Sequence, residues 1–181
     1  MPVLVLFVHS LETSFLAALH VRIVKTLRMW GPEVDDLNLY VEGFDPVLSR
    51  QTLIDYLDTT ANRREWVPSE RLLAAQALVV VSPIWFDGFP AILKGYFDRV
   101  FLPGVSFKID QNGVYWATLS NIKRLAAVCV YDAGRLRMSR VGDPVRRFVT
   151  RRLYEFVPGA RCAYTAPSGW TRRRRCAGRN V

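Results

Sequence analysis

Histidine is nearly absent from this chain: His9 and His20 are the only 2 in 181 residues. That scarcity excludes a paired-histidine metal centre and leaves little for histidine-based acid–base schemes. Cysteine is scarce too. Cys129, Cys162 and Cys176 are odd in number and fall at unrelated spacings, which suggests neither a disulfide framework nor a zinc site. No apolar run approaches the roughly 20 residues that a membrane-spanning helix requires. The opening Met1-Pro2-Val3-Leu4-Val5-Leu6-Phe7-Val8 is apolar but short. It has no basic residues before it and no small-residue cleavage site after it, so it reads as a buried strand rather than a signal peptide. A cytoplasmic protein without membrane insertion is the expectation. No Gly-x-Ser-x-Gly elbow and no Walker loop occurs. With hydrolytic and nucleotide-cleaving sets missing, the remaining expectation is chemistry carried by a cofactor.

Acidic residues are the minority charge, 16 against 25 basic ones, for a net charge of +9. Arg172, Arg173, Arg174, Arg175 and Arg179 crowd the last ten residues, and more arginines lie between Arg135 and Arg152. The charge reads either as a solvated basic face with a loose tail or as a field that attracts anions such as pyridine dinucleotide phosphates. The basic residues are not interleaved with aromatics as a stacking platform for nucleic acid would need, so nucleic acid is not an expected partner.

What is present is an alternation of strand and helix patterns. Val3 to Val8 is a continuous apolar run of the kind that parallel sheets bury on both faces. A helix is expected from Ser14 to about Met29, with Leu16, Leu19, His20, Ile23 and Leu27 on one face and Gly31-Pro32 at its end. Val34 to Leu39 reads as a more polar second strand, and Leu48 to Arg64 as helical. Pro68-Ser69-Glu70 could open another short helix. Ala77 to Ser82 is the clearest buried strand, stopped by Pro83. Pro90 suits the first turn of a helix running to about Phe101. Asp110-Gln111-Asn112-Gly113 is a turn, and Leu125 to Tyr131 another strand. Asp143-Pro144 resembles an N-cap followed by proline, opening a basic helix to Phe156. Arg161 to Tyr164 is a candidate fifth strand. The pattern predicts an α/β three-layer sandwich around a five-stranded parallel sheet in the order 2-1-3-4-5, the flavodoxin-like arrangement. The expected boundaries are one domain over residues 1–166 and a divergent basic tail over 167–181.

Ligands of such sheets bind beyond the carboxyl ends of the strands, near the switch in strand order. The loops after strands one, three and four should converge there. His9 to Phe15 enters a helix N-terminus, where backbone N–H groups and hydroxyls favour a phosphate, or Thr13 or Ser14 merely caps the helix. Pro83 to Phe89 places Trp85 and Phe86 where a polar turn is the ordinary expectation. The pair suits either a planar cofactor or packing against the next helix. Gly88 would permit a positive φ or a close backbone approach. Tyr131 to Arg135 is small and turn-forming, with room for a flat ring. His20, on the apolar side of its helix, is expected to be structural.

Three segments resemble the flavodoxin-like NAD(P)H:quinone oxidoreductase family, in particular its short bacterial members. They are His9 to Phe15; Asp36 to Pro46; and, as the most distinctive, Pro83-Ile84-Trp85-Phe86-Asp87-Gly88-Phe89-Pro90-Ala91-Ile92-Leu93-Lys94-Gly95-Tyr96-Phe97-Asp98-Arg99-Val100-Phe101. The resemblance implies a tightly held flavin. His9, Ser14 and Phe15 would hold its phosphate end, Pro83, Ile84, Trp85 and Phe86 would lie along the isoalloxazine ring, and Tyr131, Ala133 and Gly134 would close the other edge. It implies FMN, with FAD as the alternative, NAD(P)H as electron donor, a quinone-like acceptor reduced by ping-pong hydride transfer, and a homodimer whose partner completes each site. The resemblance also leaves room for a regulatory flavoprotein on a potassium-efflux transporter, or for a flavodoxin-like electron carrier, which the basic charge disfavours. Three departures stand out. Leu16 replaces an asparagine of larger relatives, the third loop lacks their threonine and double glycine, and the likeness stops after Ala166.

Overall fold

A computed structural model describes residues 1–59, 67–131, 140 and 142–167. Strand β1 (Val3–Phe7) leads to helix α1 (Phe15–Met29) and β2 (Val34–Asn38). Helices α2 (Arg50–Ile54) and α3 (Val67–Ala74) follow, then β3 (Ala77–Ile84) and α4 (Ala91–Val100). A hairpin of β4 (Phe107–Ile109) and β5 (Tyr115–Ala117) precedes β6 (Arg124–Tyr131). Helix α5 (Pro144–Arg147) continues as a π-helical turn (Phe148–Leu153), and β7 (Arg161–Thr165) closes the order.

Five strands form one parallel sheet in the order β2-β1-β3-β6-β7. Counted along that sheet alone, this is the expected 2-1-3-4-5 order. Apolar runs explain its centre: all of β1 is buried, and β3 is buried except at Val79. The sheet divides the core. Leu4, Leu6, Val80, Leu93, Tyr96, Leu125 and Val149 pack on one face. Val3, Val5, Phe7, Leu16, Ala17 and Val24 pack on the other, beneath α1. β6 alternates buried and half-buried residues, as a strand with one fully covered face does.

Three local expectations are revised and one is extended. Pro83 does not stop β3, which stays in register with β6 through Pro83↔Val130 and Ile84↔Tyr131. The Val81 carbonyl accepts from Val8 on the β1 side, and alternation puts Pro83 on that same side, past the last β1 pair at Phe7↔Val81. Its missing N–H therefore costs no ladder bond. Of the helix expected from Leu48 to Arg64, the described residues show Arg50–Ile54 as a helix capped by Ser49 with none of its residues buried, and 60–64 lie outside the described residues. The basic helix after Asp143 is α-helical to Arg147 and then π-helical over Phe148–Leu153. There the Thr150 hydroxyl donates to the Arg146 carbonyl at 2.8 Å, taking the acceptor that an α-helical Thr150 N–H would use. Finally, the turn at Asp110 belongs to a two-stranded hairpin that the sequence pattern left unread.

Candidate functional site

All five sheet strands run parallel, so their carboxyl ends share one edge, and the segments after β1, β3 and β6 leave from it. Two of these segments lie within the described residues. The third does so only at its ends, Tyr131 and Gly142, and the expected contacts Ala133 and Gly134 lie outside the described residues.

After β1, Ser14 is the N-cap of α1. Its hydroxyl accepts from the Ala17 N–H at 3.1 Å. A helix N-terminus with an extended cap residue directs the amides of its first turn, and the positive end of the helix dipole, outward. α1 carries no acidic residue in its first turn to oppose an anion. His9 lies just ahead. Its Nδ1 accepts from the Leu11 N–H at 2.9 Å, so the neutral ring carries its proton on Nε2 and donates from there. Partial burial holds its pKa below the usual imidazole value. Phe15 is half-buried at the first helical position.

After β3 the chain makes a two-residue turn. Trp85 and Gly88 exchange both backbone hydrogen bonds at 3.0 Å, and the central residues Phe86 and Asp87 have φ of 53° and 59°. Paired positive φ angles define the mirror-image turn that usually takes Asn-Gly or Gly-Gly. A phenylalanine there is strained. The turn holds the Phe86 ring wholly in solvent, at 109% relative exposure, and leaves Trp85 46% exposed. Trp85 meets His9 edge-on, with ring centroids 6.2 Å apart, so the first and second segments touch. Pro83 and Ile84 are buried behind them. The expected need for glycine at position 88 is not found. Its φ is not positive, and a Cβ there would meet only the Trp85 and Phe86 carbonyl oxygens at 3.8 and 3.9 Å.

At the end of β6, Tyr131 is buried, and its hydroxyl donates to Asp143 Oδ1 and pairs with the Tyr164 hydroxyl at 2.8 Å. The side chain is thus committed inward, and the backbone N–H donates to the Pro167 carbonyl at 3.2 Å. Burial, and then the hydrogen bond to Asp143, push the Tyr131 phenol up, and burial does the same for Tyr164. Cys129 lies nearby, and burial pushes its thiol up to about 12. The sequence pattern marks Asp143 only as a cap and Tyr164 only as the end of a strand; a tyrosine in a short terminal strand carries no local signal of a partner 33 residues away. His20 is structural, as expected. It stacks on Phe7 at 4.0 Å and pairs with Asp36 at 2.7 Å.

The family described as Flavodoxin-like fold matches residues 1–156. The chain belongs to that family. An uncharacterised NAD(P)H oxidoreductase of Haemophilus influenzae is 34% identical over 119 residues, 65% of this chain and 58% of that protein. An FMN-dependent NADH:quinone oxidoreductase of Coprothermobacter proteolyticus is 27% identical over 106 residues, 56% of this chain and 50% of that protein. The chain thus spans between half and three-fifths of the length of these relatives. An NAD(P)H:quinone oxidoreductase from Methanothermobacter marburgensis shares the fold with a TM-score of 0.78 at 23% identity, over 99% of this chain and 98% of that one. Among the described residues no helix is long and apolar enough to cross a membrane, and no cluster of His, Cys, Asp and Glu could hold a metal.

Proposed function

We propose that this protein binds FMN at the carboxyl edge of its sheet and passes a hydride from NAD(P)H to a quinone-like acceptor. The observation that carries the reading is the strained turn. Holding a bare Phe86 ring in water at a left-handed φ has no folding benefit, and strain of this kind gathers where a ligand is held. The turn lies against His9, at the edge where open α/β sheets bind ligands.

The residues fit the group. The first turn of α1, with Ser14 and Phe15, would receive a flavin phosphate. Neutral His9 would donate from Nε2 to one of the flavin's acceptor oxygens. Pro83, Ile84, Trp85 and Phe86 would line the ring, with Tyr131 closing the far edge. When bound, the flavin supplies the hydride acceptance and release that no side chain here can supply. The protein's own part is to bind and orient. Trp85 and Phe86 exclude water from the reacting face, and the net charge of +9 draws anionic dinucleotides in. The NAD(P)H and quinone named for the similar proteins support this donor and acceptor.

A homodimer completes the proposal. Val41, Val47, Leu53, Ile54 and Leu57 are each more than half exposed on or near α2, and Tyr115 and Trp116 stand exposed on the hairpin. Apolar exposure on this scale marks an interaction surface. The free, exposed Cys162 suits a reducing compartment, in keeping with a cytoplasmic enzyme.

The test is the visible spectrum of the purified protein with FMN, before and after anaerobic NADPH. Flavin bands that co-elute with the protein and bleach on addition support the reading. A protein that stays colourless after incubation with FMN and with FAD overturns it.

A further inference from the structure

The chain leaves β6 at Tyr131 and re-enters regular structure through Gly142 and Asp143, and a single side-chain contact joins these two points. The Tyr131 hydroxyl donates to Asp143 Oδ1. The same oxygen accepts from the Arg146 N–H at 3.2 Å, capping α5, while the Asp143 carbonyl accepts from the Arg147 N–H at 3.1 Å. Tyr164, reaching over from β7, pairs with the Tyr131 hydroxyl at 2.8 Å. The backbone at this junction is unusual. Gly142 and Asp143 are consecutive left-handed residues, with φ of 76° and 44°. Aspartate tolerates that region better than most residues but does not prefer it. Something must hold it there, and the phenol on its carboxylate is placed to do so.

We propose that Tyr131, Asp143 and Tyr164 form a positioning clamp that ties the end of β6 to the start of α5, at the sheet edge proposed to hold the cofactor. In this assignment Tyr131 acts on the ligand through Asp143, not by touching it with its side chain. The hydroxyl bridges the last residue of β6, which pairs with Ile84 directly before the Trp85 turn, to the first cap of α5. Releasing the bridge frees Asp143 from its left-handed conformation and frays α5 from its N-terminus, which loosens α5 against the end of β6. Tyr164 supports the clamp from β7, so its loss is the milder lesion. Cys129 shares this buried neighbourhood as a protonated, unreactive thiol, so the clamp does not respond to mild oxidation.

This inference rests on the flavin reading for its functional half only, and the experiment separates the two. The variants Tyr131→Phe, Asp143→Ala, their double mutant and Tyr164→Phe are made in the full chain. Hydrogen exchange of the flavin-free proteins is followed over residues 144–153 and, as an internal reference, over β1 and β3. FMN affinity is measured by quenching of flavin fluorescence. The expected result is exchange over 144–153 accelerated roughly tenfold in Tyr131→Phe, the scale of one lost charge-assisted hydrogen bond. β1 and β3 stay at wild-type rates, and FMN dissociation constants rise by a similar factor. Asp143→Ala reproduces the effect, Tyr164→Phe shows a smaller one, and the double mutant is no worse than the poorer single variant. Wild-type exchange and affinity in both Tyr131→Phe and Asp143→Ala overturn the clamp. So does full additivity in the double mutant. Acceleration spread equally over β1 and β3 reduces Tyr131 to an ordinary core residue and overturns it too. If wild-type protein binds no FMN, the flavin reading falls while the exchange data still decide the clamp.

Discussion

Phe86 shows how a single residue can be placed against its own preference. In the turn between Trp85 and Gly88 a glycine would adopt φ of 53° without strain, whereas phenylalanine pays about 1 kcal/mol or more for it. Phe86→Gly is therefore expected to raise the melting temperature of the flavin-free protein by about 2–4 °C and to weaken flavin binding. Calorimetry and a flavin titration read the two effects, and unchanged affinity would remove Phe86 from the site. His9 carries a pH signature. Its folded pKa lies below the usual 6.5, so the unfolded chain takes up the proton more readily. Stability conferred by neutral His9 is full above 6.5 and is lost as pH falls from there through the depressed folded value. Denaturant melts between pH 7.5 and 5 should show a shallower acid slope in His9→Asn; identical slopes would mean the imidazole is not held neutral. Both residues were legible in the sequence as candidates. Their backbone angles and tautomer were not, because those follow from contacts made by Gly88, Leu11 and Trp85 in the folded chain.

At the scale of elements, the long signature from Pro83 to Phe101 serves packing as well as the binding proposed for it. A Cβ on Gly95 would lie 2.6 Å from Pro46 Cα, and closer still to its carbonyl oxygen. The glycine thus lets the loop after β2 lie directly on α4, where Tyr96 and Phe44 meet at 5.6 Å. Gly95→Ala should cost about 1–3 kcal/mol, measured as a shifted urea midpoint with little change in slope; a midpoint within 0.2 M of wild type, on the order of the usual extrapolation error, would show that the loop yields freely. Arg71 fixes α3 to the same side of the sheet. Its Nε donates to Asp35 at 2.8 Å and its Nη1 to Glu42 at 2.7 Å, joining α3 to β2 and the loop beyond. These long-range joints carry no short-range pattern. The strands and α1 were readable because apolar runs and the Ser14 cap are local signals. The hairpin of β4 and β5 was not: β5 is exposed throughout and β4 at all but Phe107, so neither shows the alternation by which a strand is recognised.

At the scale of the whole molecule, the exposed apolar residues ask for a partner. Leu53 and Ile54 are 56% and 59% exposed on a helix that buries nothing within the chain. If a second copy covers them, Leu53→Glu with Ile54→Glu should convert a dimer to a monomer in sedimentation velocity, with the flavin-free fold intact by circular dichroism. A wild-type monomer at micromolar concentration would count against the dimer itself. The basic balance also acts at this scale, as a field over the whole surface rather than through any one pair.

By itself the sequence determined the layer architecture, the alternation of strands and helices, and the aromatic residues that follow β3. Each of these depends on local hydrophobic period, capping or punctuation, which neighbouring residues specify without reference to the rest of the chain. Only the tertiary structure decided that Pro83 continues β3, that Phe86 rather than Gly88 takes the left-handed angle, and that Tyr131 turns inward to Asp143 and Tyr164. Those outcomes depend on which backbone groups lack a neighbouring strand and on which side chains distant segments bring together, and both exist only once the sheet has closed.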